Sequence, residues 1–390
     1  MSMLYLDNSA TTPVRPEVLE AMMPFLTRWF GNPSSHHTVG EAAAESLADA
    51  RARVARVLGM RPGDVIFTSG GTEANNLAVK GIVLGAQHPS SGHAHLITTP
   101  IEHESILESA AYLARLHGVE VTRVPVDEFG RVAPADVAAA VRHDTAVVSI
   151  GYANNEVGTV QDAAAIAAAV GEAATGFGRR VPVHVDAVQA AGWLALNATD
   201  LGVDAISLAG HKVGAPKVTG VLAVRGRIPL EPLMHGGGQE RGRRSGTEDV
   251  AGAVGFATAL ELAEAERVEA SARVTALRNA FIARVLATVP TARLTGDPVH
   301  RLPGTASFTF AGTSGEAVLL ELERRGIVSS SGSACAAGSD EPSHVLLAMG
   351  VPAEIAQTAV RFTFPHRLDQ SLDSVADAVA ASVTAVQSGG

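Results

Sequence analysis

Short β-rich runs alternate with helical stretches from residue 64 to residue 225, and this alternation constrains the fold more than any other feature of the sequence. The stretches between the runs have the apolar spacing of helices. Strands joined by helices form right-handed crossovers and a mostly parallel sheet covered on both faces. The sequence therefore predicts an α/β fold. The predicted strands are Asp64–Thr68, His95–Thr99, Val119–Val126, Ala146–Ile150, Val183–Asp186, Ala205–Leu208 and Val221–Val224.

The sequence changes character after Arg225. A Gly/Arg loop, His235–Thr247, precedes a long predicted helix at Glu248–Ala287, and the last hundred residues mix short strands with helices. This pattern is typical of a smaller α+β domain. We expect residues 14–255 to form a large α/β domain, and residues 1–13 and 256–390 to form the small domain.

Composition and charge exclude several classes of protein. The formal charge is −10 and the chain has no basic stretch, so direct nucleic-acid binding is not expected. Met1–Ala10 lacks the charged and apolar regions of a signal peptide, and no stretch approaches the ~20 apolar residues of a membrane span. We therefore predict a cytoplasmic protein. The single cysteine, Cys335, rules out intrachain disulfides and multi-thiolate metal sites, and no metal is predicted.

A glycine-rich turn between a strand and a helix is a candidate phosphate site. Gly70-Gly71-Thr72 follows the strand Asp64–Thr68. Glycines let successive backbone N–H groups converge, and a helix N-terminus favours an anion. The alternative is a tight turn capped by Thr72 without a ligand. The turn is neither a Walker loop nor a dinucleotide fingerprint.

An aspartate and a lysine follow neighbouring predicted strands. Asp186 ends the apolar strand Val183–Asp186, and Lys212 follows Ala205–Leu208. Lys212 is one of three lysines among thirty basic residues, and lysine offers an amine that can lose its proton where arginine cannot. A Schiff-base lysine and an aspartate beside the pyridine nitrogen are the arrangement of pyridoxal-5′-phosphate (PLP) enzymes. The alternatives are a helix-capping Asp186 and a solvated Lys212.

Two further positions add to this pattern. His103 and Asn155 each follow a predicted strand, so polar groups from four strand ends face one crevice.

Cys335 lies among Ser, Gly and Ala residues, so no local apolar shell buries it. A thiol in such a loop is accessible and can act as a nucleophile, although single cysteines more often serve as small buried hydrophobes.

The chain resembles NifS/IscS-type cysteine desulfurases from end to end. The matching segments are YLDNSATTP, GNPSSHHTVG, FTSGGTEANNLAVKG, TTPIEHESIL, ANNEVGTVQD, HVDAVQ, AGHK, HGGGQERGRRSGT, SSGSAC and EPSHVLLAMG. The resemblance implies PLP fold type I, the aminotransferase-like fold. It also implies a homodimer that converts L-cysteine to L-alanine and leaves a persulfide on the enzyme.

The resemblance also implies roles for individual residues toward the cofactor. Lys212 forms the Schiff base, and Asp186 pairs with the pyridinium nitrogen. His103 stacks on the ring and moves protons, while Asn155 and Gln189 contact the side of the phenolic oxygen.

The remaining implied roles concern the phosphate, the substrate and the sulfur. Gly71, Thr72 and His211 hold the phosphate, and Thr247 reaches the phosphate bound to the partner subunit. Arg361, with Asn155, binds the substrate. Cys335 attacks the substrate sulfur and passes it to an acceptor protein, such as an iron–sulfur scaffold or a tRNA-thiolation enzyme.

Two departures from the family pattern stand in this sequence. Many members have serine where Ala209 stands, and Phe362–Arg367 (FTFPHR) replaces the usual Ser-x-Gly pattern after Arg361. The alternative functions are another PLP activity, such as a selenocysteine lyase or an aminotransferase, and a non-catalytic phosphate-binding module on the same fold.

Overall fold

The computed structural model describes residues 3–86, 94–331 and 341–389. Its strands are β1 Leu4–Tyr5, β2 Val65–Thr68, β3 His95–Thr98, β4 Glu120–Arg123, β5 Thr145–Gly151, β6 Val183–Asp186, β7 Ala205–Ala209, β8 Gly220–Val224, β9 Ala292–Leu294, β10 Thr305–Phe310, β11 Ile327–Val328 and β12 Ala359–Thr363. Its α-helices are α1 Pro16–Thr27, α2 Thr38–Leu58, α3 Gly71–Asn76, α4 Ile82–Ala86, α5 Glu104–His117, α6 Pro134–Ala140, α7 Ala163–Thr175, α8 Val250–Thr288, α9 Gly315–Arg324, α10 His344–Ala348, α11 Ala353–Ala356 and α12 Asp373–Gly389. None of these helices is long and apolar enough to cross a membrane.

Seven strands form the main sheet, in the order β2-β8-β7-β6-β5-β3-β4. Strand β8 is antiparallel to both of its neighbours, and the other pairs are parallel. Six strands therefore point the same way, and their carboxyl ends meet at one edge. The mostly parallel sheet that the sequence predicted is confirmed.

Helices cover this sheet on both faces, which explains why its strands are continuously apolar. Successive side chains of a strand point to opposite faces. In β5, Val147 packs with the core beneath α3 to α5, and Val148 packs with the core beneath α2 and α7. Ile66 and Val65 divide between the same two cores, as do the corresponding residues of β3, β7 and β8.

A second, smaller sheet has the order β12-β10-β9 and is antiparallel. Phe281, Phe308, Phe362 and Phe364 pack edge to face in its core, with α9 and α12 on the outside. Helix α8 contributes to the main core through its first half and to this core through its second half. The predicted division at residues 255 and 256 therefore falls inside a continuous helix, and the domain limits stay a prediction.

Histidines bridge buried strands of the main sheet. His184 on β6 lies with Nδ1 2.9 Å from Ser149 Oγ on β5 and Nε2 2.8 Å from Ser207 Oγ on β7. Burial lowers the pKa of His184 to about 3. His95 makes similar contacts with Thr145 and Thr122, and burial also lowers its pKa. Both rings are therefore neutral at neutral pH.

We expect acid to destabilise the fold partly through His184. The unfolded chain binds a proton at this residue below about pH 6.5, whereas the folded chain does so only near pH 3, so stability is lost as pH falls below 6.5. Between pH 7.5 and 5.5 the free energy of unfolding should drop by about 1.4 kcal/mol less in His184→Gln than in the unaltered chain. Urea unfolding at both pH values measures this. The exposed His235→Gln is the control, and equal drops in the two variants would contradict the account.

Candidate active site

A cavity of about 850 Å³ opens at the carboxyl edge of the main sheet. The turns after β2, β3, β5, β6 and β7 line it, and β12 of the smaller sheet adds one side. Nine of the residues predicted from the sequence lie on its wall: Gly71, Thr72, His103, Asn155, Asp186, Gln189, His211, Lys212 and Arg361. The structure therefore brings together groups that are up to 290 residues apart in the chain.

Lys212 ends a 3₁₀ turn, Gly210–Lys212, directly after β7. Its Nζ donates hydrogen bonds to the backbone carbonyls of Ser9 and Ala10, the second at 2.9 Å. Gln189 Nε2 donates to the same Ser9 carbonyl at 3.1 Å. The N-terminal segment thus directs the amine toward the cavity wall.

Asp186 is a buried carboxylate at the end of β6, and hydrogen bonds stabilise both of its oxygens. Oδ2 accepts from Asn75 Nδ2 at 2.6 Å, and Oδ1 accepts from the backbone N–H of Val188 at 3.0 Å. Asn75 also donates to Ser105 Oγ at 2.9 Å. These donors fix the orientation of the Asp186 carboxyl group at the cavity wall.

The turn after β2 packs closely against Val188 and Ala209. Gly70 has φ +141°, a conformation that favours glycine. A Cβ at Gly71 would lie 2.9 Å from Val188 Cγ2 and 3.2 Å from the Cβ of Ala209, so a side chain there would be crowded. Burial, together with the charges of Lys212 and Lys217, lowers the pKa of His211 to about 4. The ring of His211 is therefore neutral and can donate or accept a hydrogen bond.

His103 caps helix α5 and also faces the cavity. Its Nδ1 accepts the backbone N–H of Ser105 at 3.0 Å and lies 2.8 Å from Ser105 Oγ. The cap thus engages Nδ1 of His103 and fixes the orientation of the ring at the cavity wall.

Glu102 is a residue that the sequence reasoning missed. Its carboxyl is buried, lines the cavity and accepts a hydrogen bond from Thr99 Oγ1 at 2.6 Å. Burial raises the pKa of Glu102 to about 8, and the charge of Asp186 acts in the same direction. The carboxyl is therefore protonated at neutral pH. The adjacent His103 drew attention to this segment, but no periodicity signals a buried acid.

Arg361 lies on β12 and is 1% exposed. Its guanidinium donates to Asp7 Oδ1 at 2.7 Å and to the backbone carbonyl of Asn155 at 2.8 Å. These two hydrogen bonds fix the plane of the guanidinium. The segment Phe362–Arg367, which departs from the family pattern, is well packed, since Phe364 is buried and the His366 ring stacks on Trp193 with centroids 3.8 Å apart.

Two predicted residues remain. Thr247 is exposed and does not line the cavity of its own chain. Cys335 lies outside the described residues. Among the polar residues of the cavity wall that the sequence reasoning did not single out are Asn75, Glu156 and Ser343.

The chain belongs to the class-V aminotransferase family, whose model matches residues 4–371. It is 43% identical over 360 residues to "Cysteine desulfurase IscS" of Dictyoglomus turgidum, covering 92% of this chain and 89% of that protein. The solved structure of a "NifS-like protein" superimposes with a TM-score of 0.87 and 36% identity, over 99% of this chain and 98% of that one.

A second solved structure, "SspA in complex with cysteine", matches with a TM-score of 0.79 and 34% identity, over 93% of this chain and 99% of that one. Together these likenesses confirm the predicted fold, the NifS/IscS-type family and the enzyme class. The family is one of PLP enzymes. The roles of the individual site residues stay predictions.

The hydrogen bond from Asn75 to Asp186 generates a prediction about stability. Asn75→Ala removes a charge-assisted hydrogen bond from a buried carboxylate, so the free energy of unfolding should fall by about 1.5–3 kcal/mol. The neighbouring Asn76 is half-buried and donates to the carbonyl of Thr72 in an exposed hydrogen bond, so Asn76→Ala should change the free energy of unfolding by less than about 0.5 kcal/mol. Urea unfolding of both variants measures the difference, and equal losses would refute the assigned contact.

Proposed function

We propose that the chain is a PLP-dependent cysteine desulfurase in which Cys335 accepts the sulfur of L-cysteine as a persulfide. The observation that carries the proposal is the meeting of Lys212 and Asp186 in one cavity beside a glycine turn. An amine, a buried carboxylate and a phosphate-sized turn are the groups that PLP enzymes require. The likeness to cysteine desulfurases supports the choice of substrate.

The residues on the cavity wall fit the cofactor. Gly71 opens helix α3 with its backbone packed against Val188 and Ala209, and Thr72 and His211 lie beside it on the cavity wall, so this turn would hold the phosphate. In this proposal Lys212 binds the cofactor covalently, and Asp186 faces the pyridinium. When bound, PLP supplies an electron sink for charge that develops on the substrate Cα.

The chain's own groups would then handle the protons. Lys212 would take the Cα proton of the substrate, and the carbonyls of Ser9 and Ala10 keep its Nζ at the cavity wall. His103 Nε2 exchanges a proton with the substrate thiol. Arg361 binds the substrate carboxylate, with Asp7 fixing the orientation of its guanidinium.

Covalent geometry supports the role of Cys335. Ser330 forms an antiparallel bridge with Arg361, with N–H···O distances of 3.2 and 2.6 Å. Cys335 follows Ser330 by five residues, which span at most about 18 Å when fully extended. The thiol is therefore tethered to a residue that pairs with the cavity wall.

The proposal extends to partners. We infer a homodimer in which Thr247 of each subunit reaches the phosphate bound by the other. We also infer that the persulfide is passed to an acceptor protein of iron–sulfur cluster assembly or of tRNA or cofactor thiolation. The cytoplasmic location stays a prediction from the sequence.

The experiment that tests the function uses Cys335→Ser. The variant should still bind L-cysteine, but it should form neither alanine nor persulfide, because serine is a far poorer nucleophile toward sulfur. No second cysteine can substitute. Amino-acid analysis and mass spectrometry of the protein after incubation with L-cysteine give both readouts. Release of alanine and sulfide by the serine variant would replace the desulfurase with a lyase.

Thr247→Ala tests the shared site. Loss of the hydroxyl should weaken PLP retention by about tenfold, since one hydrogen bond to a charged group is lost. Equilibrium dialysis against PLP measures the retention, and sedimentation should show a dimer. A fully active monomer would exclude the proposed arrangement.

A further inference from the structure

We call residues 331–342, which carry Cys335, the cysteine segment. A buried hydrogen bond lies just after this segment. Ser343 Oγ donates to Glu156 Oε2 at 2.5 Å, and both residues are 5% exposed. The same Oγ accepts the backbone N–H of Leu346 at 3.2 Å and so caps helix α10. We call this pair, Glu156 and Ser343, the anchor.

The anchor joins α10 to the cavity wall. Glu156 is in the turn after β5, and its backbone N–H donates to Asn154 Oδ1 at 2.9 Å, which fixes that turn. On the other side, His344 Nε2 donates to the backbone carbonyl of Glu102 at 3.0 Å. The loops after β5 and β3 thus bind Ser343 and His344, which lie at the start of α10.

Apolar packing supports the same contact. Val345 and Leu346 of α10 pack with Ile101 and Val157, which belong to those two loops. All four side chains are buried. Helix α10 therefore has a fixed position against the wall.

The Glu156 carboxylate requires an explanation that the proposed chemistry does not supply. A buried carboxylate is costly unless hydrogen-bond donors satisfy it. Among the described residues, the Ser343 hydroxyl is the side-chain donor to this carboxylate. Glu156 lines the cavity wall, yet its carboxylate is directed to the residue that follows the cysteine segment.

We propose that Glu156 is a positioning residue that acts through Ser343 to hold the cysteine segment for sulfur transfer. The inference rests on the proposed function. Ser330 binds the start of the segment to Arg361, and the anchor binds its end to the turn after β5. Because both flanking residues are fixed, Cys335 is covalently connected to the cavity wall on each side, which favours the meeting of its thiol with the substrate.

The transfer of sulfur to Cys335, which the anchor assists, needs no oxidant. The Cys335 thiolate forms a bond to the substrate sulfur while the bond between that sulfur and the substrate Cβ breaks. The electron pair of the broken bond remains on the carbon skeleton, which takes up a proton and leaves as L-alanine. The enzyme retains the persulfide.

The test compares Ser343→Ala with Ser314→Ala. Ser314 caps α9, since its Oγ accepts the backbone N–H of Ala317 at 3.3 Å, so this control loses a helix cap elsewhere. In a single turnover of the holoenzyme, Ser343→Ala should form the Cys335 persulfide about ten- to a hundredfold more slowly. Ser314→Ala should match the unaltered chain, and Ser343→Thr should restore most of the rate because it keeps the hydroxyl.

Substrate affinity separates positioning from substrate binding. In a Cys335→Ser background, calorimetry should give the same Kd for L-cysteine, within about twofold, with and without Ser343→Ala. An unchanged persulfide rate in Ser343→Ala, an equal loss in Ser314→Ala, or a loss that appears only in Kd would each overturn the inference. A lack of persulfide on Cys335 in the unaltered chain would instead overturn the proposed function.

Discussion

Asp186 carries a carboxylate that is 9% exposed at the end of an otherwise apolar strand, and the surrounding groups are arranged to stabilise its charge. Asn75 and the N–H of Val188 donate to its two oxygens. The nearby acid Glu102 has a pKa raised to about 8, so at neutral pH it adds no second negative charge. Glu102 therefore lines the cavity beside Asp186 as a neutral acid.

The topology places the other groups around this charge. Six strands of the main sheet end at the same edge, so turns that are distant in the chain meet there. The N-terminal segment closes one side, because β1 pairs with β11 and Asp7 forms a bridge with Thr363. Those pairings place the carbonyls of Ser9 and Ala10 against Lys212 and the carboxylate of Asp7 against Arg361.

Much of the main sheet could be predicted from the sequence, because short apolar runs that alternate with helical stretches are strong local signals. Strand β6 has the predicted limits. The meeting of Lys212 and Asp186 followed from the same argument, since both follow strands of a parallel sheet.

Other parts of the site depend on contacts that leave no local signal. The antiparallel direction of β8 and its place between β2 and β7 are set by sheet pairing across 150 residues. Asn75, Glu102 and the anchor act through partners that are close in space and, except for Thr99 beside Glu102, far apart in sequence. Thr247 is exposed and does not line the cavity of its own chain, so its assignment rests on the family resemblance alone.

The identity of the cofactor-binding lysine is the central claim, and the chain's three lysines make it open to a direct measurement. Borohydride reduction of the PLP-loaded protein, followed by proteolysis and mass spectrometry, locates the pyridoxyl group. The account predicts the adduct on Lys212, whose Nζ lies at the cavity wall. An adduct on Lys80 or Lys217, or no adduct on a protein that retains PLP, would contradict it.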